Sequence, residues 1–354
     1  MSSTKTVFLT GASGFIALHI TGVLLSKGYN VVGTVRSQSK ADNIIKNFKK
    51  EYPDIDSRLV FEIVPDISEP TAFDSALQAH PEIQFVLHTA SPFSFGLDQP
   101  LDQAYLIPAT QGTKNVLTAI QRFAPQVTKV VITSSFAAMI NGDKSGDSSF
   151  VHTEDTWNPI TWADVQNEGD AYFASKTLAE KLAREFVITE TPNFTVTSVN
   201  PPYVLGPQRF TDTLANKTLN TSAEYINGLL DLPRDYSSQS LDPRGVCVDV
   251  RDVALLHVLA LENDKLQGLR LFPASAHFNL QVLLNLAHEQ IPELSNLIGK
   301  GIPEGAEHSA NVDNLYYDTS KTLNATGISQ WIPLETTVKD SVTQILNYRK
   351  EHNI

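Results

Sequence analysis

The sequence predicts an α/β protein organised around a doubly wound parallel sheet, and its first strand and helix carry most of this expectation. Residues Val7–Leu9 form a short apolar run without alternation, which is typical of a parallel strand buried on both faces. Apolar residues then recur at helical spacing from Ile16 to Leu24, and Gly28 stands where a helix is expected to end. Further apolar runs, alternating with helical segments, are predicted to form strands at 30–35, 59–64, 85–88, 129–133 and 195–199.

A glycine-rich turn joins the first strand to its helix. Gly11 can take backbone angles that are closed to other residues, and Gly14 lets the backbone approach a ligand. Ala17 is the third small position, where a larger side chain would push the helix off the sheet. Free amides at the start of the helix would face a phosphate group. This order of strand, glycine turn and helix predicts a dinucleotide-binding Rossmann domain.

Composition and net charge limit the classes of protein to which the chain can belong. The chain has 354 residues, of which 42% are hydrophobic and 19% charged, as expected for a globular enzyme with a large core. Its 27 basic against 39 acidic residues give a net charge of -12, which argues against general affinity for nucleic acid or anionic membranes. Cys247 is the only cysteine, so an internal disulfide is excluded. Because no signal-type or membrane-spanning apolar run is found, we expect a cytoplasmic protein.

The regular alternation of strands and helices ends after Val199. Prolines and a glycine between Asn200 and Pro207 interrupt it, so a smaller second region is expected to begin there. We predict a dinucleotide-binding domain over 1–199, joined again by 245–275, and a smaller, discontinuous substrate-binding region made of 200–244 and 276–354. A strand at 247–250 is expected to return to the main domain. Helices are predicted at 68–77, 101–124, 222–230, 251–261, 278–290 and 334–348.

The end of the second predicted strand carries positive charge. In a dinucleotide-binding fold this end lies beside the adenosine ribose, where an acidic residue would bind the 2'-hydroxyl of NAD. Here Arg36 follows the strand and Lys40 lies one helical turn later, a pair that suits the 2'-phosphate of NADP. The alternative interpretation is a solvated basic pair at the start of the next helix.

Two further strand ends supply candidate ligand contacts. Asp66 follows the third strand and could accept a hydrogen bond from the adenine amino group, while Ile67 could lie against the ring. Equally, Asp66 could be a turn or cap residue before the next helix. The loop after the fourth strand carries Phe93 and Phe95, and such loops hold ligands in this architecture. These two rings are candidates for the wall of a pocket, with plain packing as the alternative.

A later helix carries a tyrosine and a lysine four residues apart. Tyr172 and Lys176 share one helix face and are separated by about 6 Å along the axis. An ammonium near a phenol favours the phenolate, so the tyrosine pKa is expected to fall below its usual value of about 10. The helix follows a fifth strand that ends in Ser134 and Ser135, and this position favours a functional pair over a surface pair.

Three landmarks therefore occur in register: Gly-X-X-Gly-X-X-Ala after the first strand, Ser135 after the fifth, and Tyr-X-X-X-Lys on the next helix. In these features the sequence resembles the extended short-chain dehydrogenases/reductases, and within them the fungal NADPH-dependent carbonyl reductases related to dihydroflavonol reductase. The resemblance runs nearly from end to end, through the segments TGASGFIALHI, VRSQSK, VPDIS, HTASPF, VITSSFAAM, YFASK, VNPPYVLGPQ and VDVRDVA.

The resemblance implies roles for individual residues. Tyr172 would donate a proton, Lys176 would lower its pKa and bind the nicotinamide ribose, and Ser135 would polarise the carbonyl. Spacing alone does not rank Ser135 against Ser134, although the family pattern favours Ser135. The implied cofactor contacts are Gly11, Ala12, Ser13, Gly14, Phe15 and Ile16 at the pyrophosphate, Arg36 and Lys40 at the 2'-phosphate, Asp66 and Ile67 at the adenine, Val204 at the nicotinamide and Ser222 as a further contact.

The expected activity is NADPH-dependent reduction of aldehydes and ketones to alcohols by a monomer or homodimer. A largely apolar pocket would favour α-dicarbonyls, aliphatic aldehydes and prochiral ketones over sugars. Its expected wall consists of Phe93, Phe95, Phe136 and Tyr203.

Four other functions share parts of this pattern. A sugar-nucleotide epimerase has the same serine, tyrosine and lysine but retains NAD, which fits Arg36 poorly. A hydroxysteroid-type dehydrogenase would differ mainly in pocket shape. A cofactor-sensing regulatory protein without catalysis would tend to lose the tyrosine or the lysine, and both are present. A metal-dependent reductase would need clustered ligands, whereas the nine histidines are scattered along the chain.

Overall fold

The computed structural model describes residues 5–91, 96, 98–144, 146–216, 218–237, 242–302, 304 and 315–353. Its helices are α1 (Phe15–Ser26), α2 (Gln38–Phe48), α3 (Asp74–Ala79), α4 (Ile107–Phe123), α5 (Glu168–Glu190), α6 (Thr221–Leu229), α7 (Val250–Glu262), α8 (Leu280–Gln290), α9 (Ser320–Thr326) and α10 (Leu334–His352). Its strands are β1 (Thr6–Thr10), β2 (Asn30–Val35), β3 (Leu59–Ile63), β4 (Ile83–His88), β5 (Lys129–Thr133), β6 (Val151–His152), β7 (Thr195–Val199), β8 (Tyr203–Leu205), β9 (Arg244–Asp249), β10 (Arg270–Leu271), β11 (Ala276–Asn279) and β12 (Tyr316–Tyr317).

A seven-stranded parallel sheet forms the centre of the molecule, in the order β10-β7-β5-β4-β1-β2-β3. Successive side chains of β1 enter different cores, since Val7 and Leu9 pack with α1, α2 and α7 while Phe8 packs with α3, α4 and α5. A strand buried on both faces is the reason for the continuous apolar run. The prediction of a doubly wound parallel sheet is confirmed.

A second, three-stranded sheet lies beside the first in the order β11-β9-β8. Its strand β9 contains Cys247 and pairs with β8 and β11, so this strand does not itself join the main sheet. The segments that follow do join the main sheet: α7 packs in the same core as α1, and β10 pairs with β7. The chain therefore passes three times between the two sheets, from β7 to β8, from β9 to β10 and from β10 to β11.

Three predicted helices differ from the expectation at their start, each for a local reason. Asp66 binds the backbone N–H of Ser68 and Pro70 follows, so the chain turns until α3 begins at Asp74. A π-helical turn over Asp102–Leu106 leads into α4, whose first turn holds Pro108. The third, α8, begins at Leu280 because the four preceding residues pair with β9.

The carboxyl ends of the parallel strands bring the candidate residues to one edge of the sheet. The glycine turn follows β1, Arg36 follows β2, Asp66 lies just beyond β3, and the two serines follow β5. Within the part of the chain that the structure describes, none of the helices combines the length and apolar character that crossing a bilayer requires.

Candidate active site

The glycine turn after β1 is shaped by close contact with the segment that follows β4. Gly11 has a φ of +66°, and a Cβ at this position would lie 2.9 Å from the Cα of Ala90. Both features require glycine. The Gly11 N–H donates to Thr34 Oγ1 over 3.1 Å, which fixes the turn against β2. Gly14 precedes α1 and offers no side chain as a cap, so the first amides of the helix are available to an anion.

The other predicted pyrophosphate contacts lie in the same turn and differ in exposure. Ala12 is buried, and Ser13, Phe15 and Ile16 are half-buried. The backbone N–H of Ala12 is already bonded to the Thr34 carbonyl over 2.9 Å. Ala12 can therefore line the turn but cannot donate to a phosphate without breaking that bond.

Arg36 and Lys40 stand together at the end of β2. Arg36 directly follows the strand, Lys40 lies in the first turn of α2, and both side chains are exposed. Asp66 lies across from them, just beyond the end of the neighbouring strand. The hydroxyl and backbone N–H of Ser68 bind Asp66 Oδ1 over 2.7 and 2.8 Å and lower the pKa of this carboxyl, with a smaller contribution from Arg36. Asp66 thus has the turn role that was the alternative interpretation, and it remains exposed beside Arg36.

The segment that carries Ile67 is held by α4. The Asn115 Nδ2 amide donates to the carbonyls of Ile67, Ser68 and Glu69 over 3.0, 3.0 and 2.8 Å. Ile67 packs on Gly112, where a Cβ would lie 2.6 Å from the Ile67 Cδ1. Asn115 therefore fixes the backbone directly after Asp66, a role that sequence analysis did not identify.

Tyr172, Lys176 and Ser135 meet where α5 passes the end of β5. The Tyr172 hydroxyl lies 3.4 Å from Ser135 Oγ, and the Lys176 Nζ lies 5.9 Å from the centroid of the Tyr172 ring. Ser135 Oγ also accepts the N–H of Ala137 over 3.1 Å, so its own proton is available to a further acceptor. The Ser134 hydroxyl instead donates to Glu180 over 2.6 Å. The structure thus places Ser135, and not Ser134, against the phenol.

Burial governs the protonation of this group. It raises the pKa of Tyr172, while the hydrogen bond to Ser135 acts in the opposite direction. The expected lowering of this pKa is therefore not found, because desolvation outweighs a lysine that is 5.9 Å from the ring centroid. Burial also lowers the pKa of Lys176 to about 8. Tyr172 is accordingly a neutral phenol at pH 7, the form that can donate a proton.

The predicted pocket residues fall into different environments. Tyr203 is 41% exposed, and its ring centroid lies 5.7 Å from that of Tyr225 and 5.5 Å from that of Phe278. Phe136, by contrast, is only 4% exposed and stacks on Phe272 at 4.6 Å. Phe136 therefore belongs to a packed core behind Ser135, which corrects its predicted place on a pocket wall.

Two of the remaining predictions are linked to each other, and two lie outside the described residues. The Ser222 hydroxyl donates to the Val204 carbonyl over 2.6 Å, so the start of α6 is tied to β8. Phe93 and Phe95 are not among the residues that the structure describes. Among the residues that are, no group of three or more His, Cys, Asp or Glu side chains could hold a metal ion.

Sequence analysis also missed a buried polar cluster behind the serines. Glu180, Asn200 and Arg270 are joined by hydrogen bonds below the Ser135 loop. One signal was present, because Glu180 follows Lys176 by four residues and so shares its helix face. The partners come from distant parts of the chain and carry no local signal.

Comparisons with known proteins give a family match over most of the chain. Residues 7–271 match the model of the NAD dependent epimerase/dehydratase family. The chain is 40% identical to the NADPH-dependent methylglyoxal reductase GRE2 of Saccharomyces cerevisiae, over 97% of this chain and 98% of that protein.

Solved structures give the same result for the fold. Yeast methylglyoxal/isovaleraldehyde reductase Gre2 complexed with NADPH has a TM-score of 0.88 at 38% identity, covering 99% of this chain and 100% of the other. Gre2 of Candida albicans in complex with NADPH has a TM-score of 0.90 at 38% identity, covering 97% of this chain and 99% of the other.

Proposed function

The chain belongs to the NAD dependent epimerase/dehydratase family, and we propose that it is an NADPH-dependent reductase of aldehydes and ketones. The observation that carries the proposal is the meeting of Tyr172, Ser135 and Lys176 at the sheet edge that also holds the glycine turn. The proposed substrates are α-dicarbonyls, aliphatic aldehydes and prochiral ketones. The similarity to reductases of methylglyoxal and isovaleraldehyde supports this substrate class.

The residues present fit an NADPH molecule. Gly11 allows the tight turn that a Cβ would block against Ala90, and the uncapped start of α1 offers amides to the pyrophosphate. Arg36 and Lys40 would bind the 2'-phosphate, since exposed cations in this position favour NADP over NAD. Asp66 and Ile67 would adjoin the adenine, Val204 would adjoin the nicotinamide, and Ser222 would be a further cofactor contact.

The side chains of the proposed site act on the carbonyl oxygen of the substrate. Bound NADPH supplies the hydride that reduces the carbonyl carbon. As negative charge develops on the oxygen, Ser135 Oγ donates a hydrogen bond to it and Tyr172 transfers its phenolic proton to it. Lys176, as an ammonium, stabilises the phenolate that remains. A positioned general acid of this kind contributes about 10²- to 10⁴-fold in rate.

The wider assignment follows from the same proposal. The dinucleotide-binding domain would be 1–199 joined by 245–275, and 200–244 with 276–354 would form the substrate-binding region. Tyr203, exposed beside Tyr225 and Phe278, supplies an apolar aromatic wall for that region. We further propose a cytoplasmic monomer or homodimer that acts on small carbonyl compounds. The net charge of -12 supports the absence of nucleic-acid and membrane partners.

Two alternative functions make different predictions in one experiment. Purified protein is incubated with NADPH and a panel of α-dicarbonyls, aliphatic aldehydes and prochiral aryl ketones, and NADPH absorbance is followed with chiral analysis of the alcohols. A reductase consumes NADPH in step with alcohol formation. A cofactor-sensing protein binds NADPH without consuming it, and a sugar-nucleotide epimerase leaves both the NADPH and these carbonyl compounds unchanged. Either of the last two results would refute the proposed activity.

A further inference from the structure

A buried carboxylate lies two helical turns beyond Tyr172 on α5. Tyr172, Lys176 and Glu180 follow one another at intervals of four residues and share one face of the helix. The Glu180 side chain has no exposed surface. A buried charge is costly unless it is paired and hydrogen-bonded, so the surroundings of Glu180 must compensate it.

Partners from three strands or their ends surround the Glu180 carboxylate. Arg270 Nε on β10 donates to Oε1 over 2.7 Å, and the Ser198 hydroxyl on β7 donates to the same oxygen over 2.8 Å. Oε2 accepts the Ser134 hydroxyl after β5 over 2.6 Å and the Asn200 amide after β7 over 2.7 Å. Burial opposes ionisation, but the Arg270 charge and these hydrogen bonds hold the pKa of Glu180 below its ordinary value.

Arg270 is fixed by contacts of its own. Its guanidinium donates to the carbonyls of Glu154 and Ala138 over 3.0 and 3.2 Å and to that of Thr156. The guanidinium carbon lies 3.8 Å from the centroid of the Trp157 ring. Arg184, one turn farther along α5, also contacts Glu180 Oε1 over 3.4 Å, so Arg270 is the closer of two counter-charges and is held rigidly by the fold.

Two of the hydrogen bonds to Glu180 come from residues next to Ser135, the serine that contacts Tyr172. Ser134 immediately precedes Ser135, and the Asn200 amide also donates to the Ser135 carbonyl over 3.2 Å. The Glu180 carboxylate thus connects the helix that carries Tyr172 to the loop that carries Ser135. The hydroxyl oxygens of Ser135 and Tyr172 are 3.4 Å apart, longer than the usual O–H···O distance of about 2.5 to 3.0 Å. A small displacement of either side chain therefore decides whether both hydroxyls can reach one carbonyl oxygen.

We propose that Glu180 is a positioning residue that sets the separation of Ser135 Oγ and the Tyr172 hydroxyl through Ser134 and Asn200. The inference rests on the proposed reductase function and adds to it a residue that does not touch substrate or cofactor. It also assigns Ser134 a role, since its hydroxyl holds the loop and does not polarise the carbonyl.

The chain offers a matched pair of variants for the test. Ser134→Ala and Ser198→Ala each remove one buried hydroxyl bonded to Glu180, but only Ser134 adjoins Ser135. We expect Ser134→Ala to lower kcat about tenfold with the NADPH dissociation constant unchanged, because misplaced groups lose rate more than binding. Ser198→Ala should keep kcat within about twofold of the parent. Equal kcat values for the two variants would overturn the inference.

A double-mutant cycle separates positioning from direct contact. If Ser134 acts through Glu180, the variant Glu180→Gln with Ser134→Ala is no slower than Glu180→Gln alone. If the losses in kcat of the two single variants multiply in the double variant, Ser134 itself contacts the substrate, and the proposed role is refuted. If Glu180→Gln does not fold, the two single serine variants still decide the question.

A crystallographic readout keeps the inference testable independently of activity. In a structure of Ser134→Ala, we expect the Ser135–Tyr172 oxygen separation to differ from that in Ser198→Ala. An unchanged separation would overturn the inference. If the parent protein shows no NADPH-dependent turnover with any carbonyl, the proposed function fails by itself, and this structural comparison still judges the positioning role.

Discussion

The phenol oxygen of Tyr172 lies 3.4 Å from the hydroxyl oxygen of Ser135, although the two residues come from different elements. Tyr172 is on α5, and Ser135 follows β5. Both groups can therefore converge on one acceptor placed between them, which is the arrangement that carbonyl reduction requires.

The first prediction concerns the proton donor. Tyr172→Phe should lower kcat by about 10²- to 10⁴-fold, because the ring remains but the transferable proton is lost. The NADPH dissociation constant, measured by fluorescence titration, should stay within about twofold of the parent, since binding does not depend on that proton. Tyr52→Phe serves as the control because Tyr52 packs against Phe48 and lies outside the proposed site. Near-normal kcat in Tyr172→Phe would reject the assignment.

The second prediction concerns cofactor choice. Replacing both Arg36 and Lys40 by alanine should lower kcat/KM for NADPH about 10- to 100-fold, since charge-assisted bonds to the 2'-phosphate are lost. The value for NADH should change far less. Lys46→Ala removes another exposed cation from α2 and should leave the ratio of the two cofactors unchanged. An equal loss of kcat/KM with NADPH and with NADH would show that Arg36 and Lys40 do not bind the 2'-phosphate.

The third prediction concerns Asn115, which holds the backbone of residues 67–69. Asn115→Leu keeps the approximate volume but leaves those carbonyls without their donor, so we expect a loss of about 1 to 3 kcal/mol in unfolding free energy. The NADPH dissociation constant should rise about tenfold, because the adenine side of the site loosens. Gln121→Ala removes a side-chain bond to a carbonyl elsewhere on α4 and controls for general effects on that helix. Unchanged NADPH affinity in Asn115→Leu would contradict this role.

The fourth prediction concerns the pH dependence of stability. Burial raises the pKa of Asp252 from 3.8 to about 6, Asp249 adds to this, and the hydrogen bond from the Ile332 N–H acts in the opposite direction. A raised folded-state pKa means that Asp252 favours folding below pH 3.8 and that this contribution is lost as the pH rises through about 6.

Asp252→Asn should therefore be more stable than the parent at pH 8, by about 1 to 3 kcal/mol, and this gain should shrink between pH 6 and 4. Urea unfolding at several pH values measures the difference. Asp264→Asn is the control with the opposite sign, since Lys129 lowers the pKa of Asp264. A gain for Asp252→Asn that does not vary with pH would point to packing instead of charge.

Features with a local signal could be predicted from the sequence. The strands at 129–133 and 195–199 have the predicted bounds because polar or proline-containing segments limit both apolar runs. The glycine turn was equally clear, since Gly11 and Gly14 stand between a buried strand and an amphipathic helix. The Tyr172 and Lys176 pair could be predicted from helical spacing together with its position after a strand that ends in Ser134 and Ser135.

Features that depend on distant partners could not be predicted in this way. Phe136 looks like a pocket residue until its stacking on Phe272, far along the chain, is known. Glu180 resembles a surface charge in a charged helix, yet its partner Arg270 comes ninety residues later. The direction of the Tyr172 pKa shift depends on burial, which no spacing reports.

The short strand β10 closes the outer edge of the main sheet against β7 and brings Arg270 to Glu180. A polypeptide ending at Val199 would keep Ser135, Tyr172 and Lys176 but would leave an open strand edge and would deprive the buried Glu180 carboxylate of its contact with Arg270. The amino-terminal half, which carries these three residues, therefore depends on a later segment of the chain for its stability. Recombination between relatives would have to exchange the segment around Arg270 together with the amino-terminal half.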